Sequence, residues 1–92
     1  MYTVKPSKTY RKSIKKILKS GRFNIQLLED VVNTLAAGKV LSVKYQDHAL
    51  AGDLSEYREC HIKPDILLIY TKIKNELILV LVDIGSHSEL FG

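Results

Sequence analysis

The hydrophobic pattern changes period midway along the chain. Tyr10, Ile14, Ile17 and Leu18 recur at helical spacing, and Lys8, Arg11, Lys12, Lys15, Lys16 and Lys19 fill the remaining faces. That pattern predicts an amphipathic helix, with Ser7 as N-cap and Gly21 as its C-terminal stop. Asn24 caps a second stretch in which Ile25, Leu28, Val32 and Leu35 form one stripe, widened by Leu27 and Val31 and closed by Gly38. Joined through Gly21-Arg22-Phe23, the two read as an antiparallel helical hairpin. Each helix is too short to be stable without a surface to cover.

The second half supplies that surface. Strands are expected over 57–62, 66–72 and 77–84, the last built on the apolar run Leu77-Ile-Leu-Val-Leu-Val82. Lys63-Pro64-Asp65 and Lys74-Asn75 are short enough to be hairpin connections, which makes the three strands antiparallel neighbours. Tyr2-Thr3-Val4, halted by Pro6, suits a short edge strand. Residues 39–55 are polar and loop-rich, with Leu41, Val43 and Leu50 as expected anchors; an irregular segment that long is usually functional. The sum is an α+β fold, a helical hairpin packed on one face of a small, mainly antiparallel sheet, forming one domain over 1–92.

Composition narrows the class. Apolar residues at 46% and charged residues at 26% describe an ordinary globular chain rather than a disordered one. No apolar run approaches a membrane span, the basic start lacks the apolar core of a signal peptide, and the single Cys60 cannot form an internal disulfide. The cytoplasm is the expected location. The net charge of +4 is unevenly spread. Residues 1–46 hold ten Lys/Arg against two acids, +8, and residues 47–92 hold four against eight, −4. Such asymmetry suits a polyanion partner gripped by the first half, although a basic helix also serves solubility alone.

All three histidines lie in the second half, in the runs YQDHALAG, YRECHIKPD and GSHSELFG. Histidine can take and give a proton near neutral pH, so His48, His61 and His87, accompanied by Asp65 and Arg58, suggest proton transfer on an anionic substrate. Strand alternation puts Arg58, Cys60 and Ile62 on one face, with Cys60 in the core, and Tyr57, Glu59 and His61 on the other. A turn at Pro64 would bring Asp65 back toward His61. Singly, each histidine is an ordinary solvated residue. A zinc site is disfavoured because the histidines are far apart in sequence and adjacent strand residues such as Cys60 and His61 point to opposite faces. No nucleophile elbow or Gly-rich phosphate cradle is present.

In order and spacing, YQDHALAG, YRECHIKPDILLIY and GSHSELFG resemble the C-terminal motifs of the YafQ branch of the RelE-like bacterial toxins, and the preceding helices agree in length. The resemblance implies a ribosome-dependent endoribonuclease of a type II toxin–antitoxin pair that cleaves mRNA in the ribosomal A site without a metal or other cofactor. By motif position, His48, His61, Asp65 and His87 carry over as the acid–base and electrostatic group, with His48 and His87 as the proton-transfer pair. Arg58 carries over as a phosphate contact and Phe91 as a base-stacking residue. The cations Lys8, Arg11, Lys12, Lys15, Lys16 and Lys19 would then lie against ribosomal RNA.

Two positions depart from a member of that group: Asp83 stands where it has a basic residue, and Ile66 where it has a tryptophan. Asp83 would favour the protonated form of His87 if the two approach, and Lys63 is the cation able to substitute for the missing one. The implied partners are a cognate antitoxin, mRNA and the ribosome, with operator DNA only for a toxin–antitoxin complex and no membrane. The competing reading is a catalytically weak RNA- or antitoxin-binding module acting as transcriptional co-repressor.

Overall fold

Both long helices begin where side-chain oxygens can take up free backbone amides. In the computed structural model, which describes residues 1–21 and 23–92, helix α1 (Lys8–Lys19) is capped by the Ser7 hydroxyl, which accepts from the Tyr10 amide. Helix α2 (Ile25–Ala36) is capped by Asn24, which accepts from the Gln26 amide. Gly21 follows α1 with φ +71, a left-handed conformation that glycine adopts without a Cβ penalty. Arg22, in the expected joint, lies outside the described residues.

Five strands form one sheet: β1 (Thr3–Pro6), β2 (His48–Ala49), β3 (Arg58–Lys63), β4 (Ile66–Ile73) and β5 (Ile78–Gly85). Their order is β1-β5-β4-β3-β2. The β3–β4 and β4–β5 connections are antiparallel hairpins, as the short turns require, whereas β1 pairs with β5 in parallel. That parallel pairing makes the sheet mixed. It arises because the chain crosses over through both helices before returning to the sheet, and Pro6, expected to halt the strand, is its last paired residue, opposite Leu81. A final helix, α3 (His87–Phe91), follows β5, where the sequence suggested only a docked end.

The helices cover one sheet face, α1 against β5 and α2 against β3. The core is Tyr10, Leu28, Val31 and Leu35 from the helices against Cys60, Ile62, Leu68, Tyr70, Leu79, Leu81 and Ile84 from the strands, with Leu41 joining from the connecting segment. Three apolar residues expected inside are outside. Leu18 and Ile25 sit at the margins of their stripes and are 44% and 40% exposed, and Val43 is 93% exposed. The α2 stripe that reaches the core runs through Leu28, Val31 and Leu35, and Leu41 alone of the 39–55 anchors is fully seated.

That segment is also less irregular than its composition implied. It contains single turns of 3-10 helix at Val43–Tyr45 and Gly52–Leu54, and between them β2, paired to β3 through His48 opposite Glu59 and Ala49 opposite Arg58. Two-residue strands carry no periodicity to detect.

Leu79 is wholly buried. Leu79→Ala should lower the unfolding free energy by about 2–5 kcal/mol through lost transfer energy and the cavity left behind. Val43→Ala should change it by no more than about 0.5 kcal/mol. Urea denaturation of the two variants checks both figures.

Candidate functional site

Because cross-strand partners point to the same side of a sheet, the register decides which polar groups share a face. His48 sits opposite Glu59, and His61 lies in a row with Leu67 and then Gly85. Cys60 and Leu68 face the helices, so Glu59, His61 and Leu67 face away from them. From strand spacing and rise, the backbones of His48 and His61 are roughly 8 Å apart, and those of His61 and Gly85 roughly 10 Å. His87 stands two residues beyond Gly85. The structure thus brings His48 and His61 onto one face, while His87 lies past the last paired residue, at the start of α3.

His48 is the most firmly held of the three. Its Nδ1 lies 2.7 Å from the Gln46 carbonyl and its Nε2 lies 3.1 Å from Glu59 Oε1. A carbonyl oxygen only accepts, so Nδ1 carries a hydrogen, and the Nε2 contact closes on a hydrogen held between ring and carboxyl group. Glu59 is the buried charged side chain among the described residues, at 9% exposure. Sequence reasoning put Glu59 on the His61 face but gave it no part in the site. The available signal was an acid two residues before His61 on the same strand face; its histidine partner comes from a strand only two residues long.

His61 is half-buried at the end of β3, just before a register shift between His61 and Lys63. Asp65 lies exposed in the β3–β4 turn, and with Lys63 it lines a cavity of about 500 Å³ whose other walls include Lys16, Phe23, Ser86 and Glu89. His61 lines a separate groove of about 450 Å³ with Tyr45 and Lys63. Lys63 therefore borders both spaces.

His87 is exposed at the first turn of α3, its ring 5.1 Å from that of Phe91 at 45°. Ser86 and Glu89 fix this helix by a capping box: the Ser86 hydroxyl accepts from the Glu89 amide, and Glu89 accepts from the Ser86 amide at 2.8 Å. Glu89 also meets Lys16 of α1 at 3.8 Å. Asp83 turns to α1, its Oδ1 accepting from the Ser13 hydroxyl at 2.6 Å and from the Ile84 amide. No ion pair joins Asp83 to His87 among the described residues. The Asp83 carboxylate is engaged instead in a bond that ties α1 to β5.

Arg58 is not brought to the imidazoles. It lies on the helix-facing side with Cys60, and its Nε donates to Asp47 Oδ1 at 3.1 Å. The helix cations Lys8, Arg11, Lys12, Lys15, Lys16 and Lys19 are all exposed. Burial, with the nearby Asp47 and Glu59 carboxylates, pushes the Cys60 thiol up to about 12, so it behaves as an apolar filler. Among the described residues no three His, Cys, Asp or Glu side chains are grouped to hold a metal ion, and no helix is long and apolar enough to cross a membrane.

The family model described as "Bacterial toxin of type II toxin-antitoxin system, YafQ" matches residues 2–92. The chain is 42% identical over 52 residues to the mRNA interferase toxin YafQ of Escherichia coli K12, covering 56% of this chain and 54% of that one. The matched region is thus about half the length of that curated relative. A crystal structure of a metal-bound toxin from Helicobacter pylori superposes with a TM-score of 0.90 at 49% identity, over 99% of this chain and all of that one. The E. coli DinJ-YafQ complex gives a TM-score of 0.86 at 26% identity, with both chains covered in full.

Hydrogen bonds from the Ser86 amide and hydroxyl hold the Glu89 carboxyl below its ordinary value. A carboxyl depressed by folding stabilises the fold at and above its unfolded value and loses that contribution as pH falls through the folded one. The protection of the Ser86 amide against hydrogen exchange should therefore persist at neutral pH and collapse in acid, below the ordinary carboxylate range. In Glu89→Ala it should be low at every pH.

Proposed function

Since the chain belongs to the YafQ family of bacterial toxins of type II toxin–antitoxin systems, we propose that it is an mRNA endoribonuclease neutralised by a cognate antitoxin. The observation that carries the chemical reading is the His48–Glu59 contact on the face turned away from α1 and α2, with His61 on the same face and His87 two residues past the Gly85 that ends the His61 row.

The reaction is an attack of the ribose 2′-oxygen on the adjacent phosphorus. A base removes the 2′ proton, the bond from phosphorus to the 5′-oxygen breaks, and an acid delivers a proton to that leaving oxygen. The products are a 2′,3′-cyclic phosphate and a 5′-hydroxyl. His48, with a hydrogen on Nδ1 and one shared between Nε2 and the Glu59 carboxyl group, suits the acid or the group that stabilises the phosphorane. His87, exposed and with its ring tilted at 45° to that of Phe91, suits the base. His61 and Asp65 orient and tune this pair, and Phe91 offers its ring to a base. Lys63, bordering both spaces near Asp65, supplies the cation that Asp83 does not. None of these steps calls for a metal, so chelator should leave cleavage unchanged.

The exposed cations of α1 give this enzyme a sequence-independent, salt-sensitive hold on ribosomal RNA, and cleavage is expected only on translating ribosomes. The solved DinJ-YafQ complex supports an antitoxin partner. Asp83 favours a second reading: with an acid at the end of β5, the chain would be a weak enzyme that serves mainly as an antitoxin-binding co-repressor.

Induction of the toxin alone should arrest growth, and primer extension should map new 5′ ends within translated mRNA. His48→Ala or His87→Ala should reduce cleavage by about 10²–10⁴-fold, the usual worth of a proton-transfer group, and Lys63→Ala should reduce it less. Intact mRNA in the parent would favour the co-repressor instead.

Reversing Lys12, Lys15, Lys16 and Lys19 to Glu should abolish ribosome association in sedimentation assays while circular dichroism stays unchanged. A folded charge-reversal variant that still sediments with ribosomes would reject the role given to α1.

A further inference from the structure

Asp47 and His48 are neighbours whose side chains part to opposite sides of the sheet. Asp47 Oδ1 accepts from the Tyr70 hydroxyl at 2.7 Å and from Arg58 Nε at 3.1 Å. Tyr70 is 1% exposed and belongs to the core beneath α2, so one end of this cluster is anchored in the best-packed part of the molecule. His48 faces the other way, between the Gln46 carbonyl and Glu59.

What holds His48 there is not the sheet. Strand β2 has only two residues and sits at the edge, and a strand that short contributes little ordering of its own. Gln46 has φ +50, a left-handed conformation that a non-glycine residue keeps only where its surroundings impose it. This is also the conformation in which its carbonyl meets His48 Nδ1. The turn at 46–48 is therefore fixed from both sides, by Asp47 on the helix-facing side and by His48 on the other.

We infer that Asp47, Tyr70 and Arg58 are positioning residues for His48: by pinning the 46–48 turn to the core they impose the Gln46 conformation that selects a hydrogen on His48 Nδ1 and aims Nε2 at Glu59. The protonation of the cluster is consistent with this. Burial, then the hydrogen bond to Asp47, hold the Tyr70 hydroxyl above its ordinary value, so it remains a donor. Burial pulls the Arg58 guanidinium down, but its bonds with Asp47 and Tyr70 outweigh that and leave it raised. Arg58 thus has a partner already, and its part in the reaction runs through His48 rather than through a phosphate.

The inference rests on the proposed part of His48 in cleavage, but its structural half is testable without any activity. Long-range proton–nitrogen spectra of the full-length, nitrogen-15-labelled protein report which ring nitrogen of each histidine carries hydrogen. The parent should show hydrogen fixed on His48 Nδ1. Asp47→Ala, and Tyr70→Phe as a milder variant that keeps the core ring, should move the His48 signals to the averaged pattern of a free histidine and leave His61 and His87 unchanged. In ribosome-bound cleavage assays the same variants should lose at least tenfold in kcat with little change in KM. His48 signals unaltered in folded Asp47→Ala or Tyr70→Phe would overturn the inference. So would an Arg58→Ala that weakens ribosome or RNA binding while His48 keeps its parental signals, since that marks a phosphate contact. If the parent cleaves nothing, the enzymatic reading falls, and the ring spectra still decide the positioning.

Discussion

The hydrogen-bonded ladder joining β3, β4 and β5 decides which of its side chains stand on the face turned away from α1 and α2. Its register fixes the row Cys60, Leu68, Ile84 under the helices and, one residue along, the row His61, Leu67, Gly85 on the reverse. Burying the first row leaves no freedom in the second. A slip of one residue would carry imidazole and carboxyl groups into the core and expel Leu68 and Ile84, at a cost that no surface contact offsets. The apolar side of the ladder is thus what specifies the polar side.

The reactive groups are secured by different means, in order of their distance from that ladder. Glu59 and His61 stand on a strand whose alternate residues are core. His48 rides on an edge strand of two residues and needs the Asp47 cluster and a left-handed Gln46. His87 lies past the end of β5, where a capping box and the Lys16–Glu89 pair hold a five-residue helix. An exposed ion pair of this kind contributes little by itself, so α3 depends chiefly on its cap. His48, held by two contacts, and His87, exposed at the start of α3, thus stand in different settings, which is the basis for the different roles proposed for them.

Asp83 shows how a local substitution changes a network. At the register irregularity of β5 it turns to α1 and takes the Ser13 hydroxyl, fastening the basic helix to the strand that ends at Gly85. A cation in this place would repel the lysines of α1; an acid does not. The acid at this position thus serves to hold α1 against β5.

Much of this was legible in the chain itself. Helical spacing around Tyr10 and Leu28, capping by Ser7 and Asn24, and the short links at Pro64 and Asn75 determine two helices and an antiparallel trio of strands, because each signal is local and acts within a few residues. Alternation likewise put Cys60 inward and His61 outward. Three ordered motifs brought the family into view, as the match over residues 2–92 bears out. Tertiary structure alone decided the rest: the parallel pairing of β1, the seating of Leu41 but not Val43, the short strand carrying His48, the Glu59 partnership, and the capture of Arg58 by Asp47. Each depends on residues far apart in sequence meeting after the sheet forms, and a two-residue strand or a part-buried ion pair leaves no period for a sequence to display.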